Sequence, residues 1–312
     1  MTHPYSRELN DLDKIEHFLS TVIKYNDPSN GALLKKIKSG EAELKNYDTS
    51  SSTLSSTKNR DRAYVSDSKR WALRKTIVEE LYKFKREDKD ENISLGNGGA
   101  LPKCEIKNNN QAFIIIGLPA SGKSHIASKI ADEYGAVILD SDFAKRKLPE
   151  FNDNLAGASL VHDESDKLIF GYHQNDKDDD FKPLIELCYL NKNNIVIPKI
   201  GYSHNSINKL AQGIKKLGYQ IHLILVSLDR RKATIRAINR YNITSRYVPL
   251  SLIFDGYGND PTLSFYRLKD KINLDLEDMY IDSFGKISTD VQEGEKPIIL
   301  YSDSSSPISI FK

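Results

Sequence analysis

The stretch Ala112–Asp142 reads A-F-I-I-I-G-L-P-A-S-G-K-S-H-I-A-S-K-I-A-D-E-Y-G-A-V-I-L-D-S-D. Its apolar start, residues 112–116, is too short for a helix and predicts a strand that is buried on both faces. Residues 117–124 match the pattern G-x-x-x-x-G-K-[ST] at every position, and apolar residues at helical spacing follow up to Gly135. A second apolar run, Ala136–Leu139, ends at two aspartates. This order of strand, glycine loop, helix and strand is the context that a phosphate-binding loop requires.

The predicted phosphate loop consists of Gly117, Leu118, Pro119, Ala120, Ser121, Gly122, Lys123 and Ser124. Glycines at both ends allow successive backbone N–H groups to face one concavity, and the helix that follows adds the partial positive charge of its N-terminus. In such loops the lysine reaches the β- and γ-phosphates and the last hydroxyl binds magnesium, which are the roles predicted for Lys123 and Ser124. The sequence therefore predicts a site for a nucleoside triphosphate.

The overall composition is typical of a globular protein: 312 residues, 39% hydrophobic and 28% charged. A net charge of +2 does not indicate a nucleic-acid or membrane partner. No apolar run approaches the roughly 20 residues of a membrane span, and the polar start, Met1–Asn10, is not typical of a signal peptide. Cys104 and Cys188 form neither a disulfide framework nor a metal-ligand spacing, so a cytoplasmic setting is expected. Delivery into a host cell as an effector would leave no mark of this kind.

Helical spacing dominates residues 1–100, which are predicted to form a helical N-terminal extension. Its strongest helix is expected over Asp67–Arg86, and the Ser/Thr-rich stretch Thr49–Thr57 is expected to be a flexible link. Strands alternate with helices over residues 111–270, which predicts parallel β-α-β units and a three-layer α/β/α sandwich. Residues 271–312 are predicted as a C-terminal segment with a strand at Pro297–Tyr301 and a tail after it.

Two acids, Asp140 and Asp142, end the second strand. Ligands of open parallel sheets bind beyond the carboxyl ends of the strands, so both acids are predicted to lie near the phosphates. An acid at this place can take the proton of an attacking hydroxyl, which favours a kinase over a simple hydrolase. Asp142 is the favoured base, but it is also placed to cap a helix starting at Phe143. Both interpretations stay open at this point.

Arginines follow the predicted strand Gln220–Ser227. Arg236 and Arg240 are four residues apart and therefore share one helix face, and Arg246 lies in the loop beyond. Phosphoryl transfer needs cationic groups in addition to the loop lysine, so Arg240 and Arg246 are predicted to stabilise charge on the γ-phosphate from a lid. The alternative is a solvated basic helix surface, which is preferred for residues 230–232.

Four short segments carry a family resemblance: D-S-D at 140–142 with F-A-K-R-K-L-P-E-F after it, V-H-D-E-S at 161–165, I-N-R-Y at 238–241 and T-S-R-Y-V-P at 244–249. Over about residues 111–268 the sequence resembles the zeta-toxin group of P-loop kinases. The resemblance implies the fold shared by small-molecule and polynucleotide kinases, with ATP as the phosphate donor and Mg²⁺ as the cofactor. It places the family's base on Asp142 and its lid arginines on Arg240 and Arg246.

The resemblance also bears on the phosphate acceptor. The best-known members phosphorylate UDP-N-acetylglucosamine, whereas an effector branch from plant pathogens phosphorylates NAD. The V-H-D-E-S segment resembles a substrate-facing element of that branch, which implies substrate-binding roles for His162, Glu164 and Ser165. By spacing alone His162 is an ordinary helix-surface histidine. The implied acceptor is a nucleotide-linked small molecule, with NAD slightly ahead, and an antitoxin or chaperone partner stays open.

Two departures from the family pattern affect the site. Ala120-Ser121 replaces a stretch where many members carry another glycine, and the end glycines are expected to preserve the loop. The predicted strand Asn194–Ile200 lacks a terminal acid. Magnesium is therefore expected on Ser124, the phosphates and water, with Asp140 as a further ligand.

Two other functions remain as alternatives. A polynucleotide 5′-kinase has the same fold, but near-neutral charge and the lack of an aromatic-interleaved basic stripe disfavour a nucleic-acid substrate. A non-catalytic ATP-binding interaction module would use the helix around Trp71 as its partner surface.

Overall fold

The computed structural model describes residues 6–45, 52–152, 157–172, 181–244, 247–270, 280–292 and 294–312. The α-helices in these ranges are α1 (Leu12–His17), α2 (Gly31–Lys45), α3 (Asp67–Lys83), α4 (Lys123–Tyr134), α5 (Ser141–Lys147), α6 (Gly157–Leu160), α7 (His162–Phe170), α8 (Leu184–Leu190), α9 (His204–Lys216), α10 (Arg230–Thr244) and α11 (Asp260–Lys269). The strands are β1 (Gln111–Ile116), β2 (Val137–Ile138), β3 (Ile195–Lys199), β4 (Gln220–Ser227), β5 (Ser283–Ser288) and β6 (Ile298–Ser302).

The six strands form one sheet in the order β2-β3-β1-β4-β5-β6. β2 pairs with β3 and β4 pairs with β5 in parallel, whereas β6 is antiparallel to β5. Residues Ala112–Ile116 are completely buried, as a continuous apolar run in a parallel strand predicts. The predicted α/β class with a mostly parallel sheet is confirmed. No helix in the described ranges is long and apolar enough to cross a membrane.

The chain divides into two compact units, and the first comprises Met1–Asn46, Phe113–Ile126 and Pro198–Lys312. Ile15 of α1 is completely buried in its core, and Phe18, just after α1, packs edge-on against Phe254 with ring centroids 5.7 Å apart. The guanidinium of Arg7 donates hydrogen bonds of 2.7 and 2.8 Å to the carboxylate of Asp255. The N-terminal helices are therefore built into this unit by apolar and ionic contacts.

Helix α2 holds the C-terminal end of α10 in the first unit. Lys36 Nζ donates to the carbonyl of Tyr241 at 2.9 Å, and the Tyr241 hydroxyl donates back to the carbonyl of Lys36 at 3.0 Å. The Tyr247 hydroxyl donates to Glu41 at 2.5 Å, and a Cβ on Gly40 would lie 2.8 Å from the Tyr247 ring. These contacts fix the residues on both sides of positions 242–246.

The C-terminal part of the first unit differs from the predicted tail. Pro307–Phe311 forms a 3₁₀ helix whose Ile308 is completely buried. It packs on β5, where a Cβ on Gly285 would lie 2.9 Å from Ile308 Cδ1. The sequence S-F-G-K-I-S of β5 escaped prediction because it alternates polar residues with only Phe284 and Ile287 as large apolar side chains.

The second unit comprises Tyr47–Ala112 and Ala127–Ile197. Helix α3 packs against α5, α7 and α8 in this unit, which buries the apolar stripe seen in the sequence. The flexible link expected at Thr49–Thr57 is corrected for its described part, residues 52–57. Ser52 and Thr53 are buried, and the Thr53 N–H donates to the carbonyl of Leu160 at 3.1 Å. The predicted boundaries at residues 100, 111 and 270 stay a prediction.

Candidate active site

The predicted phosphate loop lies in the first unit, between the end of β1 at Ile116 and the start of α4 at Lys123. Gly117 is packed so closely that a Cβ there would lie 2.6 Å from the carbonyl oxygen of Val226. Gly122 has a φ of 88°, in the left-handed region that favours glycine. Both end glycines are thus required by the local geometry, as the motif predicts.

Ala120 also has left-handed backbone geometry, with a φ of 59°. This conformation costs a residue with a Cβ about 1–2 kcal/mol. Alanine at this place, where the resemblance implies a further glycine, was expected to leave the loop unaffected. The loop instead holds Ala120 in a strained conformation.

The Lys123 side chain contacts the first residues of the phosphate loop. Its ammonium donates hydrogen bonds of 2.7 Å to the carbonyl of Gly117 and 2.6 Å to that of Leu118. Ser121 is completely buried, and within the described part of the chain its hydroxyl has no hydrogen-bond partner. A glycine cradle, a convergent ammonium and an unpaired buried hydroxyl fit the phosphates of a nucleotide.

Helix α10 carries the predicted arginines of the first unit. Arg236 Nη2 donates to the carbonyl of Thr289 at 2.8 Å, so this arginine is held by the protein itself. Arg240 is half-buried in the last turns of the helix. Arg246 lies outside the described residues. The lid roles of Arg240 and Arg246 stay a prediction.

The acids Asp140 and Asp142 lie in the second unit, at the start of α5. The helix begins at Ser141, and the Asp140 carboxylate accepts the backbone N–H of Asp142 at 2.9 Å. Asp140 is therefore the cap, and the alternative that Asp142 caps a helix from Phe143 is wrong. The Asp142 side chain is 32% exposed and lies 3.1 Å from Lys145 Nζ.

The pKa of Asp140 is shifted by its surroundings. Burial and the negative charge of Asp142 raise the pKa of Asp140 to about 6. Asp90 also contributes negative charge at this place. Its own pKa is raised by burial and by the charges of Glu91 and Asp142, against the opposing effect of Arg146. Asp90 could not be recognised from the sequence, because it lies in a polar stretch that contains no motif.

His162 begins α7 in the same unit. Its side chain is 44% exposed, and Nε2 lies 3.8 Å from Asp166 Oδ2. The other oxygen of Asp166 accepts a hydrogen bond from the hydroxyl of Ser141. Partial burial and the charge of Lys145 lower the pKa of His162, so this histidine is mainly neutral at pH 7.

Glu164 is completely buried in an ion cluster. Its carboxylate accepts hydrogen bonds from Arg70 at 2.7 and 2.5 Å, from Arg74 at 2.7 Å and from the Thr53 hydroxyl at 2.5 Å. Arg70 also donates to Glu150 at 2.7 and 3.2 Å. Two arginines and two glutamates thus balance their charges away from water.

The substrate-binding roles expected for Glu164 and Ser165 are therefore corrected. Both oxygens of Glu164 are occupied by protein donors. Ser165 is also buried, and its hydroxyl donates to the carbonyl of His162 at 2.6 Å. The V-H-D-E-S segment presents His162 to solvent and buries its last two residues, Glu164 and Ser165, inside the fold.

The donor set for magnesium is sparse. The described residues contain no group of three or more His, Cys, Asp or Glu side chains that could hold a metal ion. Ser124 is exposed in the first turn of α4, and Asp140 offers a carboxylate. Mg²⁺ commonly takes one or two protein oxygens and completes its shell with phosphates and water, so the exposed hydroxyl of Ser124 in the first unit fits it. The metal role of Asp140, which lies in the second unit, stays a prediction.

Comparisons with known proteins agree with the motif analysis. The family model described as "Zeta toxin" matches residues 101–276. No curated protein sequence matches the chain. Among solved structures, one from the characterization of the PezAT chromosomal toxin-antitoxin system of the human pathogen Streptococcus pneumoniae is 15% identical, with a TM-score of 0.49, covering 81% of this chain and 89% of its own.

A gluconokinase from Sinorhizobium meliloti 1021 is 12% identical to the chain, with a TM-score of 0.30, covering 60% of this chain and 86% of its own. The family model spans more than half of the 312 residues and includes the phosphate loop, both acids and α10. On this match, the chain belongs to the zeta toxin family of P-loop kinases.

Proposed function

We propose that this protein is an ATP- and Mg²⁺-dependent kinase that transfers the γ-phosphate to a hydroxyl of a nucleotide-linked small molecule. The observation that carries the proposal is the phosphate loop, in which Lys123 converges on the carbonyls of Gly117 and Leu118. A lysine held at this place exchanges its carbonyl partners for phosphate oxygens when a nucleotide binds. Membership of a kinase family makes phosphoryl transfer the chemistry to test first.

The chain's residues divide the work of transfer. Backbone N–H groups of the phosphate loop and the ammonium of Lys123 bind the phosphates. Ser124 and Asp140 would hold magnesium, which would neutralise phosphate charge. Asp142 takes the proton from the acceptor hydroxyl as that oxygen bonds to the γ-phosphorus and ADP departs. Arg240 and Arg246 stabilise the charge that develops on the transferred group.

Asp142 suits the base role because the helix does not need it as a cap. The N-cap bond belongs to Asp140, while Asp142 keeps partial exposure and an adjacent Lys145. The raised pKa of Asp140 reflects burial and the negative charge of Asp142, and a cation bound there would relieve that repulsion. Two neighbouring carboxylates thus take separate tasks, one toward metal and one toward the proton.

The proposed acceptors are NAD and UDP-N-acetylglucosamine. The preference for NAD came from the V-H-D-E-S segment, and His162 is the residue of that segment that remains available for substrate binding. Residues 111–270 would form the kinase domain, with the N-terminal helices as an extension. We further propose a toxin or effector role in a cytoplasm, where an antitoxin or chaperone would control it.

Mass spectrometry tests the proposal directly. The protein is incubated with ATP, Mg²⁺ and a metabolite extract, and then separately with NAD and with UDP-N-acetylglucosamine. A product heavier by one phosphate is expected from the wild-type protein and not from Lys123→Ala. Equal turnover by the two proteins would refute the assignment of the nucleotide site. A product from the extract but from neither pure compound would refute only the proposed acceptors.

A further inference from the structure

Thr289, the residue after β5, is packed against the phosphate loop. Its hydroxyl donates a buried hydrogen bond of 2.6 Å to the carbonyl of Ser121. Its methyl group lies beside Gly122, where a Cβ would be 3.3 Å from Thr289 Cγ2. Thr289 itself is 9% exposed, and its N–H donates to the carbonyl of Ser227 at the end of β4. The ends of β4 and β5 thus hold the Thr289 side chain against the phosphate loop.

The same residue is tied to helix α10. The carbonyl of Thr289 accepts a hydrogen bond of 2.8 Å from Arg236 Nη2. The next residue, Asp290, forms an ion pair with Lys232 at 2.7 Å, one turn earlier on the helix. Thr289 therefore contacts the loop through its side chain and the arginine-bearing helix through its backbone.

The geometry of the peptide group gives the hydroxyl bond a direct consequence. The carbonyl of Ser121 and the N–H of Gly122 belong to one planar trans peptide and point in opposite directions. A donor that holds the carbonyl therefore turns the Gly122 N–H away from Thr289. In loops of this kind the N–H groups must face the anion together for the nest to bind it.

We propose that Thr289 is a positioning residue for nucleotide binding, which orients the Ser121–Gly122 peptide through its hydroxyl and couples the loop to α10 through Arg236. This inference rests on the proposed nucleotide site of the same loop. It assigns a role to β5 and to Arg236, neither of which the motif includes. Arg236 holds helix α10 to Thr289, and Arg240 keeps its proposed role at the γ-phosphate.

Two substitutions separate the hydroxyl of Thr289 from its methyl group. Thr289→Val keeps the shape and the carbonyl that binds Arg236 but removes the donor to Ser121. Thr289→Ser keeps the donor and removes the methyl group. Loss of the donor should let the Ser121–Gly122 peptide turn and weaken ATP binding about tenfold, which corresponds to about 1.4 kcal/mol.

Thr234→Val is the matched control. Thr234 is also a buried threonine of the first unit, but its hydroxyl donates to the carbonyl of Arg230 within α10 at 2.8 Å. Titration calorimetry with Mg·ATP and thermal melts are measured for all variants. We expect Thr289→Val to bind ATP about tenfold more weakly, with Thr289→Ser and Thr234→Val within about twofold of wild type.

Equal ATP affinity of Thr289→Val and wild type would overturn the inference. So would a serine variant that binds ATP as weakly as the valine variant, because the hydroxyl would then be shown not to preserve binding. If the valine variant does not fold, Thr289→Ala against Thr289→Ser isolates the hydroxyl in the same way. Failure of the wild-type protein itself to bind ATP would instead refute the proposed function.

Discussion

The carboxylate of Asp140 accepts the backbone N–H of Asp142 across 2.9 Å, so the first of these two acids caps helix α5 and the second does not. This relationship gives the capping role to Asp140, whereas the sequence left capping open as an alternative for Asp142. The cap requires an acceptor at position 140. The cap does not require Asp142, whose carboxylate is partly exposed beside Lys145. The stability of α5 and the chemistry of the base can therefore be separated by mutation.

Asp142→Asn is expected to lower phosphoryl transfer by about 10²-fold or more, because the amide cannot accept the hydroxyl proton. The melting temperature should stay close to wild type, since the lost pair with Lys145 is partly exposed and such pairs contribute at most about 1 kcal/mol. Single-turnover rates with saturating ATP measure the effect. A variant that melts earlier but transfers phosphate normally would exclude the base role.

Asp140→Asn provides the comparison for this test. Asparagine still caps a helix, so folding should be retained. Its loss of activity should be partly rescued by raising the Mg²⁺ concentration, whereas that of Asp142→Asn should not. Rescue of both variants, or of neither, would contradict the division of tasks.

The strained Ala120 gives a second prediction. Ala120→Gly removes the cost of a left-handed alanine, about 1–2 kcal/mol, and adds unfolded-state entropy of about 0.5–1 kcal/mol. We expect a net gain of up to about 1 kcal/mol in the free energy of unfolding, measured by urea denaturation. Gly122→Ala is the opposite change, because it places a Cβ at a φ of 88° and 3.3 Å from Thr289 Cγ2. It should destabilise the protein and weaken ATP binding, and a stabilised Gly122→Ala would contradict the loop geometry.

The sequence predicted the part of the site where constraints are local. The strand, loop and helix around residues 112–134 follow from the spacing of glycines and apolar residues within one short stretch. The strand β5 could not be predicted in this way. It contains Gly285, which is required by the packing of Ile308, and its half-buried positions carry Lys286 and Ser288. Tertiary packing, not periodicity, makes that segment a strand.

The errors at the site have the same origin. Glu164 was interpreted as substrate-facing from its motif, but Arg70, which binds it, lies 94 positions earlier. Thr289 lies 168 positions from Ser121, whose carbonyl it holds. No spacing rule joins residues at such separations. The motif identifies the residues proposed to bind phosphate, whereas the fold alone reveals the distant residues that contact them.

Helix α10 provides a third prediction. Arg240→Ala should lower turnover by roughly 10³-fold while changing ATP affinity far less, because a lid arginine acts mainly on charge in the transition state. Arg231→Ala is the control on the same helix, since that side chain is exposed. Turnover number and the dissociation constant of ATP are measured for both. Near-normal turnover of Arg240→Ala would place this arginine on an ordinary helix surface.

The buried ion cluster gives a prediction about stability. Glu164→Gln leaves Arg70 and Arg74 buried beside a neutral amide and should destabilise the protein by about 3–5 kcal/mol. Glu186→Gln breaks the pair with Lys182, in which both side chains are well exposed, and should cost less than about 1 kcal/mol. Urea denaturation at pH 7 measures both. Equal effects of the two substitutions would show that the cluster does not hold α3 to α7.

The wild-type protein and Glu164→Gln should also differ in how their free energy of unfolding depends on pH. Burial raises the pKa of Glu164, but the hydrogen bonds and charges of Arg70 and Arg74 outweigh burial and lower it to about 2. A folded-state pKa below the unfolded value of 4.5 means that this glutamate stabilises the fold at and above neutral pH. That contribution is lost as the pH falls from about 4.5 toward 2, because the unfolded chain then binds the proton first. Glu164→Gln lacks the titrating group, so its deficit relative to wild type should shrink across this window. A deficit that stays constant from pH 7 down to the acid limit of folding would exclude ionised Glu164 as the source of the stability.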